Sequence, residues 1–257
     1  MARLPVCGKA FGLGTPDGSS EMRVLETSGS DAAVAVALLT GLVSIDGLPA
    51  SAAAIAALCI TDFEYLILSL RQAWHGPPLV LGLACGHCRE PSKFTTDIND
   101  LLQRTELKSV RDVAVHPERI GWFTLEGGAF RLPTVGDQIA VAASARPVQA
   151  LAELCLDEAA RGRALRPRIE RAMERMAPEL STTIHALCPA CGTPLEAHFP
   201  VVRTVLAELR QGAAGLHDDI DLIARAYHWP QTEILALPQD RRKAYVARIR
   251  HTFDRAA

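Results

Sequence analysis

The chain is 257 residues long, 49 % hydrophobic and 22 % charged, with a formal net charge of −2 at pH 7. Such a length can bury one substantial core or two smaller ones. The slight acidic excess and the 5 % aromatic content argue against a general nucleic-acid surface, which needs basic excess and stacking rings.

Residues 1–30 are rich in glycine, serine and charge and show little periodicity. They read as a leader that is poorly ordered or becomes ordered on a partner. Met1–Cys7 has no contiguous apolar signal core. Ser30 and Asp31 then offer an N-cap to an Ala/Val/Leu helix ending near Gly41 or Gly47. A second helix is predicted from about Ser51, or from a restart at Thr61–Asp62, to Trp74, with Gly76, Pro77 and Pro78 as its stop. Phe63, Leu66, Ile67 and Leu70 fall on one face of it and are expected in the core. The apolar stretches at 32–43 and 52–70 are too short, or too interrupted by Asp46, Asp62 and Glu64, for a membrane span. A soluble protein is the expectation.

From Val80 to about Arg131 the pattern turns strand-like. Val110, Val113, Val115, Ile120, Trp122, Phe123 and Leu125 are β-formers, broken by Pro117 and by Gly127–Gly128. Helices resume over Val148–Ala160 and Pro167–Met176, and strands are predicted over Thr182–Leu187 and Leu195–Phe199. The last part of the chain is helical. Val202, Val205, Leu206 and Leu209 make one apolar stripe, closed by Gly212 and Gly215. Ile220, Ile223, Ala224 and Tyr227 make the next, after Asp218, Asp219 and Asp221 at a favourable helix start. Pro230 suits a first helical turn, and Pro238 ends the short helix it opens. A final helix places Tyr245, Ile249 and Phe253 on one side, and Arg241, Arg242, Arg248 and Arg250 on solvated sides.

Two motifs carry the chemistry. Cys85-Gly86-His87-Cys88 and Cys188-Pro189-Ala190-Cys191 lie about a hundred residues apart. Two CxxC pairs supply four thiolates, and the short gap lets both sulfurs of a pair reach one ion. Pro189 and Gly192 favour the tight turn of such a knuckle. The expected ligand is a structural Zn2+ held by Cys85, Cys88, Cys188 and Cys191, with no position open for water. The Cys-Gly-His-Cys sequence is also that of a disulfide-isomerase site, which begins a helix after a strand. Ala84 in place of tryptophan, Pro91 shortly after, and the unused second pair weigh against it. A zinc deaminase is weaker still, because that chemistry needs a His-x-Glu or Cys-x-Glu alongside Pro-Cys-x-x-Cys, and Leu187 precedes Cys188. His87 and His185 stand beside the pairs as reserve ligands or donors to them, and His116 and His228 read as turn or packing residues. Cys7, Cys59 and Cys155 are left over. Cys59 and Cys155 sit in apolar helical patterns, and this usage fits a reducing compartment.

Ala224–Tyr245 reads ARAYHWPQTEILALPQDRRKAY. It resembles the helical tail of small baseplate proteins of contractile phage tails and injection systems, with Tyr227, His228, Trp229, Ile234 and Leu237 matching the pattern. Asp62-Phe63-Glu64-Tyr65-Leu66, some twenty residues before one CxxC pair and far ahead of Cys-Pro-x-Cys-Gly, extends the likeness to zinc-containing hub or hub-assembly proteins of T4-like tails. The resemblance covers roughly 60–254. It implies a structural or assembly role without catalysis or a small-molecule substrate. The implied partners are other baseplate, hub or tail-tube proteins, met in the bacterial cytoplasm during assembly, with retention in the particle left open.

The expected fold is α+β and mostly helical, with a small antiparallel β unit closed by the four-cysteine zinc site and a C-terminal helical hairpin. Its parts would be a leader (1–30), N-terminal helices (31–78), a zinc-clamped β unit with a helical insertion (79–200) and a C-terminal helical module (201–257). The rival class is a nucleic-acid-binding zinc-ribbon regulator. An enzyme has little support, since neither a GxxxxGK[ST] phosphate loop nor Gly-x-Ser-x-Gly occurs.

Overall fold

The computed structural model describes residues 2–103, 105 and 110–254, apart from the side chains of residues 184, 197, 253 and 254. The sequence-based placement of Phe253 in the last helix's apolar side therefore lies outside the described side chains. The chain is α+β, mostly helical, with small antiparallel sheets. Among the described residues no helix is long and apolar enough to cross a membrane.

The first thirty residues differ from the expected loose leader. They form β1 (Ala2–Arg3), β2 (Ala10–Leu13) and α1 (Gly18–Glu26). Leu4, Phe11 and Val24 reach the main core, and Asp17 caps α1 through a capping box with Ser20. Scattered apolar anchors of this kind escape a periodicity search. Next come α2 (Asp31–Leu39), β3 (Val43–Ile45), β4 (Leu48–Pro49) and α3 (Ala52–Ala56). The Ser30 side chain caps α2 as expected, and Ser51 caps α3. β1, β2, β3 and β4 pair in that order as an antiparallel sheet.

α4 (Ile60–His75) ends at Gly76, whose φ of 78° suits glycine. Phe63, Leu66, Ile67 and Leu70 are all buried, so its core face is the one its sequence predicts. Two carboxylates near its start act as anchors. Asp62 accepts hydrogen bonds from the Val6 and Cys7 amides at 2.7 and 3.0 Å. Glu64 accepts from the Leu180 and Ser181 amides at 2.9 and 3.1 Å, and from the Ser181 hydroxyl. Burial nevertheless raises the Glu64 carboxyl above its usual range, with the hydrogen bonds from Ser181 and Leu180 pulling the other way.

β5 (Pro78–Ala84) and β6 (Pro91–Asp97) form a hairpin, followed by α5 (Ile98–Gln103). β7 (Ala114–Val115), β8 (Trp122–Leu125) and β9 (Gly128–Arg131) make a three-stranded meander. α6 (Val135–Val141), α7 (Pro147–Cys155) and α8 (Arg166–Met176) follow. The insertion between the knuckles is thus mixed, with a second core of Leu125, Phe130, Leu156, Ala160, Ile169 and Ala172. α7 stops short of the predicted Ala160 because extended Leu156 bridges Phe130 of β9.

β10 (Thr182–Leu187) and β11 (Pro194–Phe199) form the second hairpin, and α9 (Val201–Ala213) leaves it. α9 does not belong with the C-terminal helices. Val201, Val205, Leu206 and Leu209 join the main core, and buried Arg71 of α4 forks onto Glu208 with contacts of 2.9 and 2.7 Å. The C-terminal hairpin is α10 (Leu216–Tyr227), α11 (Gln231–Leu235) and α12 (Gln239–Asp254). Ile223, Ile234, Val246 and Ile249 form its centre, beside the ring cluster Tyr227–Trp229–Tyr245. His228 turns the chain with φ 56°. One arginine expected in solvent is buried. Arg242 is 1 % exposed, forms an ion pair with Glu21 of α1, and lies 3.5 Å from Asp219. Its side chain reaches the leader, which a reading of the isolated helix face could not include.

Candidate metal centre

Each knuckle is the turn of a two-stranded hairpin. After β5, the Cys85 amide donates to Glu90 O at 3.0 Å and the Arg89 amide to Cys85 O at 2.9 Å. After β10, the Cys188 amide donates to Thr193 O at 2.9 Å and the Gly192 amide to Cys188 O at 2.8 Å. This double closure curls the backbone so that both cysteines of a pair point inward. The antiparallel β unit at the cluster consists of two hairpins that face each other at their turns.

The four sulfurs of Cys85, Cys88, Cys188 and Cys191 lie within 4.8 Å of one another. Across the hairpins, Cys85 Sγ is 3.7 Å from Cys191 Sγ, and Cys88 Sγ is 3.7 Å from Cys188 Sγ. These are not disulfides, whose sulfurs sit about 2.05 Å apart. A tetrahedral zinc with bonds of about 2.3 Å separates its sulfurs by about 3.8 Å, so donor type and spacing both fit such an ion. Cys85 and Cys188 are buried against Leu195 and half-buried Phe94, while Cys88 and Cys191 are exposed.

The electrostatics favour a cation. The amides of Cys88 and His87 lower the Cys85 thiol. The Thr193 hydroxyl, 3.3 Å from the sulfur, and the Thr193 amide bring Cys191 down to about 6. For Cys88 the Glu90 amide favours the thiolate, yet desolvation of the sulfur within the cluster and its three neighbouring sulfurs push it up to about 12. Four thiols sharing one small volume resist ionising together because the thiolates repel one another, and a divalent ion removes that repulsion and so releases their protons. The spare cysteines contrast with them. Burial holds Cys155 at about 11 and Cys59 at about 12, and partial desolvation of the sulfur, helped by the Asp62 carboxylate, holds Cys7 at about 11, so they stay thiols. Cys155 is buried as expected, Cys59 is half-buried at the start of α4, and Cys7 is exposed.

The disulfide-isomerase alternative lacks its helix, because Cys85 begins a hairpin turn between β5 and β6. His87 and His185 are outside the cluster. His185 instead faces Glu196 across the second hairpin, exposed to solvent. His116 Nδ1 accepts the Glu118 and Arg119 amides and is a turn residue. Asp218 and Asp219 occupy the first turn of α10, and Asp221 pairs with Arg225. Thr193 was not singled out from sequence; a hydroxyl following Cys-x-x-Cys-Gly is the signal that marks it.

No protein-family model, curated protein or solved structure matches the chain. Its class is therefore given by fold and site: an α+β protein whose two hairpins meet at a four-cysteine cluster able to hold a metal ion.

Proposed function

We propose that the cluster holds a structural zinc ion and that the chain is a structural or assembly component of a contractile-tail or injection-system baseplate. The convergence of four sulfurs from two hairpins about a hundred residues apart carries the metal part. Cys85, Cys88, Cys188 and Cys191 would be its ligands. Four protein donors leave zinc no site for a substrate or water, and its contribution is a cross-link.

Support for the baseplate role comes from the ordered motifs and from what their residues do. Asp62 and Glu64 tie distant backbone to α4, and the Ala224–Tyr245 segment packs its aromatic residues inside a helical hairpin. These are tasks of scaffolding, and the reading assigns the chain no catalytic step.

Elemental mass spectrometry with thiol counting tests the metal. One zinc per chain, and four further thiols exposed on chelation, is the expected result. Metal-free protein with an oxidisable Cys85–Cys88 pair would sink it. Affinity purification against tail-tube and hub proteins tests the role. Retention of neither, with salt-sensitive binding to DNA or RNA, would favour the zinc-ribbon regulator.

A further inference from the structure

The insertion carries a second candidate site, remote in sequence from the cysteines. A cavity of about 190 Å³ lies between α8 and the segment before β7, lined by Arg111, Arg168, Arg171 and Arg175 over Leu125 and Ala172. Positions 168, 171 and 175 recur at helical spacing, so three guanidiniums leave one face of α8. Arg171 and Arg175 are an i,i+4 pair of like charge, an arrangement that costs a helix stability.

The acids of α8 do not offset that cost. Glu170 pairs with Arg166, and Glu174 lines cavities on the other flank with Met173. Arg168, Arg171 and Arg175 thus share one flank of α8, while Glu170 and Glu174 lie on the other with Arg166. Among the described residues the acids at the basic cavity are Asp112, which lines it, and Glu126, which pairs with Arg168. Four arginines less these two acids leave a net charge of two positive.

We propose that this cavity is a binding site for a phosphate group of a small polyphosphate or phosphorylated metabolite. A doubly charged oxyanion matches the excess, and guanidinium forks match its oxygens in pairs. A single carboxylate would satisfy half of the charge. A nucleic-acid strand fits less well, because among the described residues no aromatic side chain lines the cavity to stack a base, and Asp112 and Glu126 would meet its continuing backbone. The site is independent of the baseplate reading and of the metal.

Titration calorimetry of the full chain, as purified, with sodium pyrophosphate at constant ionic strength tests it. One saturable site per chain is expected. Arg171→Gln with Arg175→Gln should weaken it tenfold or more, consistent with loss of charge-assisted bonds. Both side chains are exposed, and circular dichroism with a thermal melt checks that the variant is folded. Arg111→Gln, from the opposite wall, should weaken binding independently. Absence of saturable binding, or equal binding by all variants, overturns the proposal. Equal affinity for citrate would overturn the choice of phosphate. Binding of a single-stranded oligonucleotide but not of pyrophosphate would replace the small ligand with a nucleic acid.

Discussion

The two knuckles make the same turn from different residues. In both, the first cysteine is buried and the second exposed, and the same pair of backbone hydrogen bonds closes the loop. The residue after the second cysteine is left-handed in each, but it is Arg89 with φ 61° in one and Gly192 with φ 71° in the other. Thr193 places a hydroxyl beside Cys191, where the first knuckle has Glu90. Bringing the four sulfurs together therefore constrains backbone shape more tightly than side-chain identity. The hairpins also differ in how they arrive. β5 follows directly from α4 through Gly76, whereas β10 comes after the whole insertion and is held to α4 by Glu64.

If the two halves share one ion, ligand loss from either must have the same consequence. Cys188→Ser and Cys88→Ser should each abolish stoichiometric zinc and destabilise the protein by on the order of 4 kcal/mol or more, beyond an ordinary core truncation. Calorimetry with elemental analysis reads both. Retained zinc in one variant and loss in the other would show that the halves are unequal partners.

Glu64 tests the difference in anchoring. Glu64→Ala leaves the Leu180 and Ser181 amides without their acceptor. The expected loss is about 2–4 kcal/mol, with faster hydrogen exchange in β10–β11 than in β5–β6. Equal loosening of both hairpins would remove the special role of this carboxylate. Glu64→Gln retains an oxygen for the amides and should cost less. The pH dependence has a definite sign. The folded-state carboxyl titrates above its usual value because of burial, so between the usual and the raised pKa the native state binds more protons than the unfolded state. Glu64 therefore makes stability fall as pH rises through that window, with no further change above it. Urea midpoints of Glu64→Gln measured against the parent should gain with rising pH across the window and then level off. A difference independent of pH would refute the assignment.

The convergence of the four cysteines was legible because CxxC spacing is a local signal with a narrow geometric meaning, and the α4 core face because Phe63, Leu66, Ile67 and Leu70 repeat at helical period. What was not legible depends on pairings across the chain. The leader lacks periodicity, yet Leu4 and Phe11 find a core completed by α9. Arg242 sits in a solvated-looking stripe, yet meets Glu21 two hundred and twenty-one positions earlier. Glu64 and Asp62 look like polar interruptions of an apolar helix, and become intelligible only when the orphan amides of residues 6, 7, 180 and 181 are placed beside them.

The smallest effects should separate the knuckles most sharply, because they have opposite signs. A Cβ added at Gly192 meets no atom within 4 Å, so Gly192→Ala introduces left-handed backbone strain without a clash. The expected loss is about 1 kcal/mol. Arg89 already bears that strain, its side chain is exposed, and none of its side-chain atoms is hydrogen-bonded among the described residues. Arg89→Gly should therefore stabilise the first knuckle by about 0.5–1 kcal/mol, the relief of the left-handed conformation exceeding the added freedom of the unfolded glycine. Chelator competition on both variants would show zinc retained slightly longer by Arg89→Gly and released sooner by Gly192→Ala. Two shifts in the same direction would mean that something other than the left-handed residue limits how these turns close on the ion.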